Sequence, residues 1–262
     1  MIDFCARTDI GLKRKKNDDC FLTIVDPSSG LDTSSMGSMF AVADGMGGHP
    51  AGDVASRIAC EGIRDHYYDV SKLKGYLYGS SSLVSCKPLL NHLIRAFKEA
   101  NSKVCFFECN NKQCEGLGTT LSVLVLRGDR AIIGHVGDSR IYRWRGGQLK
   151  LLTRDHTFVQ DLLDYGDITE EEARVNPLRH VLMQSVGQGF EEVYSTCEKL
   201  EPGDMFLLCS DGLHDMITED EIADVLRSNI SVHSMCDILI ERALSAGGKD
   251  NVTVIVVKYE SG

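Results

Sequence analysis

Between residues 119 and 153 the chain carries four strand-forming runs joined by connections of only two to four residues. Thr120–Leu126, Ala131–Val136, Ile141–Arg145 and Gln148–Leu152 are separated by Arg-Gly-Asp-Arg, Gly-Asp-Ser-Arg and Gly-Gly turns. Links this short cannot hold a crossover helix, so these strands read as an antiparallel meander. Helices cluster elsewhere. Val54, Ala55, Ile58, Ala59, Gly62 and Ile63 form one apolar stripe, with Pro50 near its start. Leu89, Leu90, Leu93, Ile94, Phe97, Ala100 and Val104 form a second. Strands and helices segregated into runs argue for an α+β fold of antiparallel sheets covered by helices, not a doubly wound parallel sheet.

The remaining segments fit that frame. A strand is expected at 20–25, after a loop that mixes four cations (Lys13, Arg14, Lys15, Lys16) with Asp18 and Asp19. Residues 28–38 read as a polar hairpin loop and 69–88 as an irregular connection. Residues 154–190 read as a mostly helical, polar insert that could serve as a flap. It contains a break at Asp164-Tyr165-Gly166 and a capping box beginning at Thr169. Strand returns over 193–209. A short helix capped by Thr218 and a longer one over 231–245 precede a β-branched strand after Asp250.

Composition narrows the function. The chain has 262 residues, 43% of them hydrophobic, and a net charge of −10. That supports a real core, fits one large domain or two small ones, and argues against nucleic-acid partners. Ten cysteines without a CxxC pair, several in apolar runs such as Cys60 and Cys209, read as free thiols of a reducing cytoplasm. Cys105, Cys109 and Cys114 lack the tight spacing and fourth ligand of a zinc site. No apolar run approaches a membrane span, and Asp3, Arg7 and Asp9 interrupt any leader-like segment.

The chemistry is carried by carboxylates at strand–turn junctions: Asp18 and Asp19, Asp44, Asp138, Asp211 and Asp250. Asp44-Gly45 ends the run Met39–Ala43, and Asp211-Gly212 ends Met205–Ser210. Each alone has a turn explanation, Asp-Gly as a hairpin dipeptide and Asp beside Ser or Asn as a turn cap. Six together at sheet ends suit hard divalent cations. Neither GxxxxGK[ST] nor GxSxG is present, which removes the P-loop and serine-hydrolase elbow readings.

Seven motifs in order carry a resemblance. They are Arg14-x-x-Asn17-Asp18-Asp19, Asp44-Gly45-Met46-Gly47-Gly48-His49, Gly118-Thr119-Thr120, Val136-Gly137-Asp138-Ser139-Arg140, Thr153-Arg154-Asp155-His156, Ser210-Asp211-Gly212-Leu213 and Lys249-Asp250-Asn251-Val252-Thr253. From about residue 7 to 257 the chain resembles the type 2C (PPM) metal-dependent serine/threonine protein phosphatases, in their bacterial form. The resemblance implies a four-layer α/β/β/α sandwich of two antiparallel sheets with a flap. It implies two Mn²⁺ or Mg²⁺ ions, with a third, weaker one. Asp44 would bridge the two ions, the Gly45 carbonyl would ligate the second, and Asp211 and Asp250 would complete the first. Asp138 with Asp211 would hold the third, Asp18 would lie near the second, Asp19 would be a further metal ligand, and Arg14 would bind the substrate phosphate.

The implied reaction is in-line attack on phosphoserine or phosphothreonine by a metal-bridging hydroxide, opposing a serine/threonine kinase. The implied setting is a cytoplasmic monomer that acts on phosphoproteins. Asp18 replaces the family's usual Glu and is shorter by about 1.5 Å. Met46 replaces a His proposed as general acid in animal members, and His156 is a weak substitute for that role. A phosphoprotein-binding pseudophosphatase and a small phosphate-ester hydrolase are the alternatives. The full Asp set disfavours the first.

Overall fold

The computed structural model describes residues 1–25, 30–46, 51–73 and 86–260. Strands β1 (Ile2–Asp9), β10 (Val252–Tyr259), β9 (Met205–Cys209), β6 (Arg140–Arg145) and β7 (Gln148–Leu151) form one antiparallel sheet, in that spatial order. Strands β2 (Asp19–Ile24), β3 (Ser38–Asp44), β4 (Leu121–Arg127), β5 (Arg130–Val136) and β8 (Tyr194–Lys199) form a second. Helices α2 (Gly52–Tyr67) and α3 (Lys87–Asn110) cover the second sheet, and α7 (Glu219–Arg227) and α8 (Val232–Ser245) cover the first.

The alternating sides of each central strand enter different cores. On β3, Met39, Ala41 and Ala43 face α2 and α3, while Phe40 and Val42 face the other sheet. On β9, Met205, Leu207 and Cys209 face α7 and α8, while Phe206 and Leu208 meet the second sheet. Burial on both faces makes these strands uninterrupted apolar runs. Edge strands differ: β1 carries Asp3, Arg7 and Asp9 and stays partly exposed. Charges on an edge strand guard against pairing with other chains.

The expected meander is divided. β4 and β5 form a hairpin in the second sheet, whereas β6 and β7 form one in the first. The Gly137-Asp138-Ser139 link carries the chain from one sheet to the other, and on β6 Ile141 then faces the inter-sheet core while Tyr142 and Trp144 face the outer helices. The insert over 154–190 is less helical than expected. It holds α4 (Phe158–Tyr165) and α5 (Glu170–Val175), and an irregular return that pairs Val186 with Thr119. The expected capping box at Thr169 and the expected cap at Thr218 are both present, the second also as a capping box.

Two further expectations change. Within 28–38 a short helix, α1 (Thr33–Met36), replaces part of the loop; residues 28 and 29 lie outside the described residues, as do Gly47, Gly48, His49 and Pro50 and most of the 69–88 connection. The cysteines are not all free: Cys86, which precedes α3, is bonded to Cys197 on β8. α3 lies against the second sheet and brings their Cα atoms to 6.3 Å, within disulfide reach. Among the described residues no helix is long and apolar enough to cross a membrane.

Candidate active site

The ends of the central strands converge at one edge of the sandwich. Asp19 opens β2 and stands opposite Asp44, the last residue of β3. Asp211 opens α6 (Asp211–His214) directly after β9, Asp250 precedes β10, and Asp138 sits in the β5–β6 link. Asp19 reaches across to the other sheet: its Oδ2 accepts from Ser210 Oγ at 2.8 Å and Thr253 Oγ1 at 2.6 Å.

Like charges and burial dominate the electrostatics. Burial pushes Asp44 well above the usual carboxylate range, reinforced by the charges of Asp19, Asp211, Asp138 and Asp250. Burial likewise raises Asp138, followed by the charge of Asp211. Burial lifts Asp19 to about 6 against donation from Thr253 and Ser210. Burial and the charge of Asp215 lift Asp211 to about 7. Two buried side-chain oxygens in the described structure lack a hydrogen-bond partner, Asp19 Oδ1 and Asp211 Oδ1, and both belong to this group. Unpartnered anionic oxygens inside a protein are costly, and an oxygen-only donor set suits a hard divalent cation.

Comparison with known proteins identifies the family. Residues 17–245 match the family model for protein phosphatase 2C. The chain belongs to the protein phosphatase 2C family. It is an enzyme of the serine/threonine protein phosphatase class, of the bacterial branch. It is 33% identical over 254 residues to the serine/threonine phosphatase stp of Listeria welshimeri, covering 96% of this chain and 94% of that one. A serine/threonine phosphatase structure from S. agalactiae superposes with a TM-score of 0.85 at 30% identity, covering 99% of this chain and 100% of that one. The catalytic domain of PstP in complex with 2 manganese ions gives 0.80 at 34% identity, covering 99% of both chains.

Within this phosphatase the expected site residues divide. Asp19, Asp44, Asp138, Asp211 and Asp250 act on one another electrostatically. Asp18 is placed differently. Its Oδ1 accepts from the Asp53 N–H at 3.1 Å at the start of α2, and its carbonyl accepts from Ser56 Oγ at 2.7 Å. A carboxylate here satisfies a free amide of the first helical turn. Asp250 is partly occupied as well: Oδ1 accepts from the Asn251 N–H at 2.8 Å, and Oδ2 pairs with Arg14 Nη2 at 2.5 Å. That hydrogen bond is the main cause of the raised Arg14 pKa, and the charges of Asp250, Asp211 and Asp44 add to it.

Gly45 is required by its neighbours' backbone. A Cβ there would lie 2.2 Å from the Gly52 carbonyl oxygen and 2.7 Å from that of Asp18. His156 is buried and lies against His135, and its Nδ1 accepts from the Gly137 N–H at 3.2 Å. It is a packing histidine in this fold.

Three further residues shape this edge although the sequence assigned them no role. His180 Nδ1, from the flap, lies 3.3 Å from Asp215 Oδ2 and 3.8 Å from Asp211 Oδ2. Among the described residues this is the one His/Cys/Asp/Glu trio whose ligand atoms all lie within 4.8 Å of one another. A cleft of about 80 Å³ separates flap from α6, with Arg179, His180, Asp211, Asp215 and Asp250 in its walls. Asp215 stands four residues after Asp211, one helical turn on, which is the signal that could have found it. Asn251 was also missed as a brace: it accepts from the Asp18 N–H and donates to the Ile10 and Lys16 carbonyls.

Proposed function

We propose that this phosphatase hydrolyses phosphoserine and phosphothreonine in proteins with the help of two divalent cations, Mn²⁺ or Mg²⁺, at the Asp44–Asp211 edge. The observation that carries the reading is the pair of buried, partnerless oxygens of Asp19 and Asp211, beside an Asp44 that feels the charges of Asp19, Asp211, Asp138 and Asp250. Asp44, Asp211 and Asp250, the Gly45 carbonyl and Asp19 would hold the ions, and Asp138 with Asp211 a third, weaker one. When bound, the ions would supply Lewis acidity that acidifies water and offsets charge on the phosphoryl oxygens.

The chain's own contribution is placement. Ser210 and Thr253 aim Asp19, and Asn251 fixes the Asp250 turn against the 10–18 loop. Arg14 binds the substrate phosphate in a fork-like contact once it leaves Asp250. Asp18 serves the site through α2 rather than as a ligand. The enzyme opposes a serine/threonine kinase as a cytoplasmic monomer, one catalytic domain over 1–262. Eight free cysteines support a reducing compartment, against the Cys86–Cys197 bond.

The test is phosphate release from a phosphothreonine peptide with Mn²⁺, with chelator, and with an Asp211→Asn variant. Metal-dependent release confined to the parent protein is expected. No release from the parent would refute the enzymatic reading. Faster turnover of small phosphate esters than of any phosphopeptide would move the assignment to a small-ester hydrolase.

A further inference from the structure

Behind the carboxylates lies a buried hydrogen-bonded chain that the proposed reaction does not consume. The Asp44 backbone is held at both ends. Its N–H donates to Thr120 Oγ1 at 2.9 Å, and its carbonyl accepts from Thr120 N at 2.9 Å and Thr119 Oγ1 at 2.8 Å. Thr120 Oγ1 meets Ser139 Oγ at 2.7 Å. Ser122 Oγ lies 2.9 Å from the Ser139 carbonyl and 2.8 Å from His135 Nδ1. His135 Nε2 lies 3.0 Å from the Arg154 carbonyl. Thr119, Thr120, Ser122, His135 and Ser139 are all buried.

Counting protons fixes the tautomer. A carbonyl only accepts, so the imidazole proton sits on Nε2, facing Arg154. Burial, reinforced by His156, keeps the ring neutral, with its pKa pulled down to about 3. Nδ1 is therefore an acceptor, and the single Ser122 hydroxyl proton is shared between Nδ1 and the Ser139 carbonyl. Each member of the chain depends on its neighbour for a partner.

Both ends of the flap meet this chain. Arg154 begins the flap, and its guanidinium pairs with Asp161 at 2.8 Å and with Asp164, both on α4. At the other end Val186 and Thr119 exchange two backbone hydrogen bonds of 2.9 Å. The flap's roots thus reach the Asp44 backbone by two routes, through His135 at its start and through Thr119 at its end.

We propose that His135 is a positioning residue which, through Ser122, Ser139 and Thr120, fixes the flap's first root relative to Asp44. This rests on the proposed role of Asp44. Partners that orient a ligand typically change metal affinity or activity about 10- to 100-fold when removed.

The test uses the full chain with Mn²⁺ and a phosphothreonine peptide. His135→Phe removes both ring nitrogens, and His135→Gln restores a donor toward Arg154. Thr120→Val removes the hydroxyl, and Thr120→Ser restores it. His135→Phe and Thr120→Val are expected to lower kcat and Mn²⁺ affinity by about tenfold with KM little changed. The Gln and Ser variants are expected to recover most of that loss. A side-chain ¹⁵N spectrum is expected to show His135 protonated at Nε2.

Unchanged kcat and Mn²⁺ affinity in folded Phe and Val variants would overturn the proposal. So would a fall in Tm alone, a failure of the Gln and Ser variants to recover, or a proton on Nδ1. Should the Phe and Val variants not fold, Ser139→Ala deletes one hydroxyl of the same chain and faces the same criteria. An inactive parent protein would refute the phosphatase reading instead, while the Mn²⁺ affinities and the nitrogen shift would still decide this one.

Discussion

Asp211→Asn separates the electrostatic cost of the acidic edge from its use. Asp211 is lifted from an ordinary 3.8 to about 7, chiefly by burial and then by the charges of Asp215, Asp250 and Asp19. Ionising it inside the fold therefore costs about 4 kcal/mol more than in the unfolded chain. The sign follows from the direction of the shift. Below pH 3.8 the group is protonated in both states and the cost is absent. The cost grows as pH rises and is complete above about 7. Asparagine removes the charge but leaves an amide with incomplete partners, which returns about 1–2 kcal/mol. Without metal at pH 8 the variant should thus be more stable than the parent by about 2 kcal/mol, or about 5 °C in Tm. The gain should shrink as pH falls and turn into a deficit of about 1 kcal/mol near pH 4, where only the amide's missing partners remain. With Mn²⁺ the order should reverse, since an ion at a hundred times its Kd stabilises the parent by about 2.7 kcal/mol and the variant lacks a ligand. Thermal unfolding in chelator and in Mn²⁺, at several pH values, measures all of this. A variant less stable than the parent in chelator at pH 8 would refute the account of mutual repulsion. A variant that keeps the full Mn²⁺ stabilisation would refute Asp211 as a ligand.

Other perturbations address single contacts. Arg14→Ala should lower kcat/KM for a phosphopeptide about tenfold or more, mostly through KM. It should also tighten Mn²⁺ binding in the absence of substrate, because Asp250 Oδ2 is released from the guanidinium, and calorimetric titration reads that directly. Thr253→Val removes a 2.6 Å donor that holds Asp19 down, so the acid limb of the pH–rate profile should move to higher pH. Gly212→Ala would place a Cβ 1.9 Å from the Asn251 carbonyl oxygen and should cost several kcal/mol, read as loss of soluble protein or a large fall in Tm. Thiol titration of the unfolded, unreduced chain should find eight groups, and ten after reduction.

The legible parts of the fold were those whose signal is local. β3, β9 and β10 are buried on both faces, so their apolar runs stand out. The capping boxes at Thr169 and Thr218 need only four residues each. β1 was given no element, because an edge strand carrying Asp3, Arg7 and Asp9 lacks an apolar period. The division of the meander was not legible either. A short link between β5 and β6 states that the strands follow closely, not which sheet receives the second. In the site, strand-end position was enough to single out Asp44, Asp138, Asp211 and Asp250. Choosing between Asp18 and Asp19 was not possible, because neighbouring residues of an extended chain point to opposite sides. Which side faces the other sheet depends on pairing with β3, a contact 25 residues away in sequence.

The two Asp-Gly pairs show how a correct signal can have a different cause. Asp-Gly is a hairpin dipeptide because glycine accepts positive φ. Among the described residues, neither Gly45 nor Gly212 is in that region. Both are glycines because another backbone passes where a Cβ would lie. For Gly45 it is the Gly52 and Asp18 carbonyls, and for Gly212 the Asn251 carbonyl. Each crossing joins a carboxylate-bearing strand end to a second segment of the site. Gly45 sits against the segment that carries Asp18 and starts α2. Gly212 sits against the turn that carries Asp250. The glycines therefore set how closely the acidic segments approach, and the close approach is what makes the carboxylates repel. A bulkier residue at either position would push the segments apart before any ion could be gripped, so the glycine and the aspartate of each pair serve one geometry.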